Sequence, residues 1–192
     1  IEIDWEESIG LVGDELWAER GRGWADPGTV PWIPEDMASA SIGQSVVQIT
    51  PLQLARAYAV FANGGWLVTP HLAAGDIDWT SPEYRPRVAL KPSTLKTIRE
   101  GLRKVVSAGT GIGLNGPDVP PAAGKTGTAE DSTGGKDHAW FASYAPYPEG
   151  EIVVVAFAQN TPGGGSVHAL PMAKRVLERW QSLRDVKPPS AP

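Results

Sequence analysis

Gly124-Lys125-Thr126-Gly127-Thr128-Ala129-Glu130 is the stretch on which the reading of this chain turns. It offers one cation, two hydroxyls at alternate positions and two glycines beside which another molecule's backbone can come close. In an extended strand alternate side chains share a face, so Thr126 and Thr128 can turn both hydroxyls toward one carboxylate while the backbone stays free to pair. Such a segment is expected at a sheet edge that lines a substrate groove.

Outward from the heptad the pattern alternates between strands and helices. Ser107 to Gly124 is rich in glycine and proline and reads as the loop that delivers the chain to it. Three strands are expected, at about 123–129, 138–145 and 151–159; the last, Ile152-Val-Val-Val-Ala-Phe-Ala158, concentrates β-branched residues in a short apolar run. Pro146 to Gly150 is turn-rich and hairpin-sized, so the second and third strands should pair antiparallel. A helix at about 167–181 would cover the sheet with Leu170, Ala173, Val176, Leu177 and Trp180. Upstream, Thr50-Pro-Leu-Gln53 carries a capping pattern and Gly64-Gly65 a stop, bounding a helix at 51–63 with Leu54, Ala55, Tyr58 and Phe61 on one face. A second helix is expected at 93–107, with Leu95, Ile98, Leu102, Val105 and Val106 at helical spacing. Residues 1–40 show poor periodicity; Trp5, Trp17, Trp24 and Trp32 are expected to pin loops onto a surface, Asp14 to Arg20 to form a short helix, and Asp26-Pro-Gly28 to turn.

Composition bounds the function classes. A chain of 192 residues with 41% hydrophobic residues is long enough to bury a core. A net charge of −5 without long runs argues against a nucleic-acid partner and offers no polybasic membrane patch. With no cysteine there is no disulfide and no thiolate chemistry. His71, His138 and His168 lack metal-ligand spacing, so no metal and no cofactor is expected, and His71 and His138 read as structural or solvated. Gly-Lys-Thr invites a phosphate-loop reading, but that loop needs a glycine where Val119 stands and a helix where Gly127 intervenes. Asp36, Asp131 and Asp137 read as solvated loop acids, and Trp140 and Phe141 as sheet packing.

The Lys-Thr-Gly triplet is one of three signatures of serine penicillin-interacting enzymes, beside Ser-x-x-Lys and Ser-x-Asn. Around it, Ser41 to Gly65, Thr69-Pro-His-Leu72, Gly109-Thr-Gly111, His138 to Pro146, the strand from Ile152 to Asn160 and the opening Ile1-Glu-Ile-Asp4 closely resemble segments of class B penicillin-binding proteins. The resemblance runs from the first residue to about Gln181. It implies an α/β fold of the α+β type: an antiparallel sheet flanked by helices, beside part of an all-helical lobe. Residues 1–115 would hold the remainder of that lobe and connecting loops, 116–183 the sheet lobe and terminal helix, and 184–192 a disordered tail. The family's sheet has five strands, so two would come from an upstream segment, as would the nucleophile with its lysine and the Ser-x-Asn motif.

By the same resemblance, Lys125 would contact the serine of the Ser-x-Asn motif and help move protons. Thr126 and Thr128 would hold the carboxylate of a D-alanyl-D-alanine stem peptide or a β-lactam, the Thr128 amide would be half of the oxyanion hole, Gly127 would leave room for the ligand backbone, and Glu130 would line the groove or sit at the surface. One Ser-x-x-Lys does occur, at Ser93-Thr-Leu-Lys96, but Pro92 and the apolar spacing behind it make Ser93 a first-turn or capping serine. The function implied is the carboxy-terminal part of a peptidoglycan-crosslinking D,D-transpeptidase at the extracytoplasmic face of a bacterial membrane. Its partners would be the amino-terminal half of the domain and a membrane glycan polymerase. The alternatives are a non-catalytic peptide-binding or penicillin-sensing lobe, and a D,D-carboxypeptidase or β-lactamase relative.

Overall fold

A computed structural model describes residues 11–12, 33–44, 47–72, 77–130 and 135–185. The expected tryptophan anchors, the helix at 14–20, the turn at 26–28, Asp131 and residues 186–192 lie outside the described residues. The chain divides into two compact units, residues 1–50 and 51–192. The boundary expected at 115/116 falls inside the second.

In the first unit β1 (Leu11–Val12) pairs antiparallel with β2 (Val47–Gln48), and α1 (Pro34–Ser41) lies between them in sequence. Pro34 opens α1, where a missing amide proton costs nothing. Asp36, expected on a solvated loop, is instead 4% exposed in the first turn of this helix. There its carboxylate accepts the Ile33 amide at 3.1 Å, the reach-back that the third helical residue is placed to make.

The second unit is built on β3 (Ala123–Ala129), β4 (His138–Ala145) and β5 (Ile152–Ala158), antiparallel in the order β3-β4-β5. Before them run α2 (Pro51–Ala62) and α3 (Pro92–Ala108), and after them α4 (Ala169–Asp185). The pleat sends alternate residues to opposite faces. Phe141, Ala139, Val154 and Ala156 meet Leu170, Ala173 and Leu177 of α4, whereas Ala123, Ala142 and Tyr144 meet Tyr58 and Ala62 of α2. Helix α3 packs against β3 and gives Leu102 to one cluster and Val106 to the other. Both sheet faces are thereby covered, which is why β4 reads as a nearly unbroken buried run.

Helix ends explain the connections. Gly64 and Gly65 take positive φ as the stop of α2, and Arg99 of α3 donates from Nε to the Phe61 carbonyl at 2.6 Å and from Nη2 to the Ala62 carbonyl at 3.0 Å. A cation thus satisfies the last carbonyls of α2 and meets the negative end of its dipole. Helix α4 runs to Asp185, four residues beyond the expected end, so Arg184 and Asp185 are helical and not part of a tail. In this last turn Arg184 pairs with Glu151 at 2.9 Å and lies over the Trp180 ring. Val176, expected on the covering face, is 47% exposed, because Ala173 and Leu177 take the central line.

Burial pushes the phenols of Tyr58 and Tyr144 up to about 12; the neighbouring Tyr144 adds to the effect on Tyr58, while Arg99 opposes it at Tyr144. An unfolded chain's tyrosine ionises near 10, so the fold holds these protons more tightly. Their contribution is therefore complete below about pH 10 and is lost as pH climbs from about 10 to 12. Denaturant unfolding measured across that window should show the parent losing stability faster than a Tyr58→Phe/Tyr144→Phe variant. Parallel profiles would contradict the assignment.

Candidate functional site: an open strand edge

All four residues from Lys125 to Thr128 lie within β3, one edge of which is bonded to β4 while the other has no strand against it among the described residues. Thr126 stands opposite Phe141 and Thr128 opposite Ala139, so both threonines project to the face that α4 covers. The structure brings the two hydroxyls to one side, as their spacing required. Lys125 stands opposite Ala142 and projects to the other face, and its exposed ammonium donates to the Thr126 carbonyl at 2.7 Å. Because β3 is an edge strand, side chains from both faces border the same open rim. A chain laid along that rim would meet the cation from one side and the hydroxyls from the other.

Two loops shape the threonine side. The Gly163-Gly164-Gly165 run after β5 leads into the first turn of α4, whose Leu170 amide donates to the Gly165 carbonyl at 2.8 Å. A Cβ on Gly164 would fall on the Thr128 hydroxyl, and one on Gly165 would overlap the Trp140 carbonyl and lie 2.7 Å from the Gly127 carbonyl. Only glycine lets this loop seat so closely against Gly127 and Thr128. On the other loop, the Thr110 hydroxyl lies 2.8 Å from that of Thr126. Residue spacing could not find that contact, since it joins positions sixteen apart through a turn; the Gly-Thr-Gly sequence was the one available signal.

The remaining candidates lie elsewhere or make other contacts. Glu130 is exposed just past the end of β3. Ser93 is in the first turn of α3, but the N-cap is Lys91 and no side-chain cap bond forms; the Ser93 carbonyl accepts from the Thr97 hydroxyl at 3.0 Å. Lys96 pairs with Glu100 at 3.9 Å on the exposed side of the helix. These bonds stay within α3. His71 stacks on Trp79 with ring centroids 4.1 Å apart, His138 accepts the Asn160 amide at 3.3 Å, and His168 lies 3.2 Å from the Pro162 carbonyl. Among the described residues no three His, Asp or Glu side chains gather as a metal site. Trp140 packs on Phe157, centroids 4.3 Å apart, and Phe141 is fully buried, so both serve the sheet. The Gly-Lys-Thr sequence is interior to a strand, and no helix follows it as a phosphate loop would need.

An antiparallel sheet covered by helices, with Lys-Thr-Gly on its free edge, defines the class. The chain belongs to the penicillin-binding protein transpeptidase domain family, whose profile matches residues 19–178. It is 34% identical over 176 residues to the peptidoglycan D,D-transpeptidase MrdA of Haemophilus influenzae, covering 80% of this chain and 27% of that protein. It thus spans little more than a quarter of that relative's length. In three dimensions it matches, with a TM-score of 0.74 and 33% identity over 95% of its length and 30% of the other chain, a structure described as "structural coordination of polymerization and crosslinking by a peptidoglycan synthase complex". Pseudomonas aeruginosa PBP2 in complex with WCK 5153 gives a TM-score of 0.71 at 28% identity, covering 92% of this chain and 37% of that one. The resemblance drawn from the sequence and the fold it implied are both borne out by these matches.

The contact of the triple-glycine loop with β3 carries a stability test. Gly165→Ala must push the loop or the strand aside and should cost ~1–3 kcal/mol, the usual penalty of overpacking. Ser93→Ala, which removes no cap bond, should stay within ~0.5 kcal/mol. Urea unfolding of both variants measures this, and a Gly165→Ala chain as stable as the parent would contradict the packing described.

Proposed function

We propose that this chain forms the carboxylate-binding and oxyanion wall of a serine D,D-transpeptidase that crosslinks peptidoglycan, acting with an amino-terminal segment that carries Ser-x-x-Lys and Ser-x-Asn. The observation that carries the reading is the open rim of β3, bordered by Lys125 on one side and by Thr126 and Thr128 on the other, in a chain of the penicillin-binding transpeptidase family.

The chemistry assigns a task to each residue. A serine oxygen attacks the penultimate D-alanine carbonyl, the terminal D-alanine leaves, and the amine of a second stem peptide takes the acyl group. The Thr126 and Thr128 hydroxyls donate to the terminal carboxylate, which aligns the scissile bond along the strand. The Thr128 amide donates to the carbonyl oxygen as it becomes an oxyanion, and Gly127 leaves space for the ligand backbone. Lys125 keeps the potential positive beside the nucleophile and hands protons to the Ser-x-Asn serine. Glu130 lines the exit of the groove. A β-lactam presents the same carboxylate and carbonyl and would take the same places.

A glycan polymerase is the partner this reading favours, since the structural match at 33% identity concerns polymerization and crosslinking in one complex. Crosslinking of wall peptide places the domain on the extracytoplasmic face of the bacterial membrane. No helix among the described residues is long and apolar enough to cross one.

Labelling with a fluorescent penicillin tests the proposal. The chain alone should take no label, because Ser93 and Lys96 bond only within their own helix. Joined to an amino-terminal segment with Ser-x-x-Lys, it should label; there Lys125→Ala should slow acylation by ~10²- to 10³-fold. Thr128→Val keeps the backbone amide and should cost about 1.5–3 kcal/mol, the worth of a hydrogen bond to a charged group. An adduct on Ser93, or full-rate acylation without Lys125, would overturn the reading. A folded, joined domain that never labels would favour a non-catalytic peptide-binding lobe.

A further inference from the structure

We infer that Thr110 is a positioning residue, which donates its hydroxyl proton to Thr126 and so aims the Thr126 proton at the carboxylate of the ligand. The inference rests on the carboxylate-clamp reading above.

Hydrogen-bond arithmetic carries the argument. Each hydroxyl has one proton and two lone pairs. In the Thr110–Thr126 pair, 2.8 Å apart, one proton is used between the two oxygens and one stays free. If Thr126 donated to Thr110, it would have no proton left for a ligand. A carboxylate is acceptor-only and therefore selects the opposite sense, Thr110 to Thr126 to carboxylate. In that sense each bond polarises the next and strengthens it.

Thr110 is held too firmly to be an incidental neighbour. The amides of Gly109 and Gly111 on either side both donate to the Val105 carbonyl, at 3.1 and 2.9 Å. A Cβ on Gly109 would come within 3.0 Å of that carbonyl and one on Gly111 within 3.2 Å, so a side chain at either position would push the turn by a few tenths of an ångström. Just beyond, Leu114 is fully buried, Asn115 donates its side-chain amide to the Val106 carbonyl at 2.8 Å, and Lys174 of α4 donates to the carbonyls of Gly113 and Asn115, each at 3.1 Å. Helices α3 and α4 thus fix the turn from two sides and present its threonine to β3.

A loop that merely latched onto the strand would show the same contact, so the test must read the ligand's carboxylate. In the domain joined to its Ser-x-x-Lys segment, second-order acylation constants are measured with a penicillin and with its methyl ester, for the parent, Thr110→Val, Thr110→Ser and Thr126→Val. Thr110→Val should slow the penicillin by roughly 3- to 10-fold, as expected for one neutral hydrogen bond, and leave the ester rate unchanged. Thr110→Ser should restore the parent rate, and the Thr110→Val/Thr126→Val double variant should be no slower than Thr126→Val alone. Should the turn not tolerate valine, Thr110→Ala is expected to give the same pattern. Equal slowing of both ligands, or of neither, would overturn the inference while leaving the transpeptidase reading intact. Loss of dependence on Lys125 would instead strike at that reading itself.

Discussion

One edge of β3 is paired residue by residue with β4, from Ala123 opposite Tyr144 to Ala129 opposite His138, and the other is left without a strand among the described residues. That asymmetry is the constraint on which the rest depends. A strand bonded on both sides could show a ligand only its side chains, whereas an edge strand adds a row of backbone donors and acceptors. An unsupported edge strand would be too mobile to hold a reacting group within a fraction of an ångström. The fold meets both needs by fixing β3 through its faces and its paired edge.

Each support is visible in the packing. Helix α3 lies against β3, and Arg103 donates to the Ala122 carbonyl at 2.7 Å just before the strand begins. The triple-glycine loop seats directly against Gly127 and Thr128. Behind them the paired edge is backed by β4, whose Phe141 and Tyr144 are fully buried on opposite faces of the sheet. Loss of one support would be felt as a shift of Gly127 and Thr128, the positions at which a ligand backbone would come closest.

Much of this was legible in the residues because it rests on local rules. The β-branched run at 152–158, the turn at Pro146 to Gly150 and the alternation of Thr126 and Thr128 settled strands, hairpin and the shared face before any contact was known. At Arg184 the proline-rich sequence that follows points to a tail, whereas the residue lies in the last turn of α4 and pairs with Glu151. Asp36 was misjudged because a carboxylate in a polar stretch is ordinarily solvated; its burial follows from where α1 begins. The links that complete the candidate site, Thr110 to Thr126 and Gly164 to Thr128, join distant parts of the chain. No period or spacing encodes such contacts, since they arise from how the helices seat against the sheet.

The central claim is that the open rim of β3 receives the reacting ligand along its length. A crystal structure of the joined domain after reaction with a penicillin tests it most directly. The account predicts an acyl group extended beside β3, its carbonyl oxygen within hydrogen-bonding distance of the Thr128 amide and its carboxylate beside the Thr126 and Thr128 hydroxyls. An acyl group bound elsewhere, with the rim of β3 vacant, would contradict it.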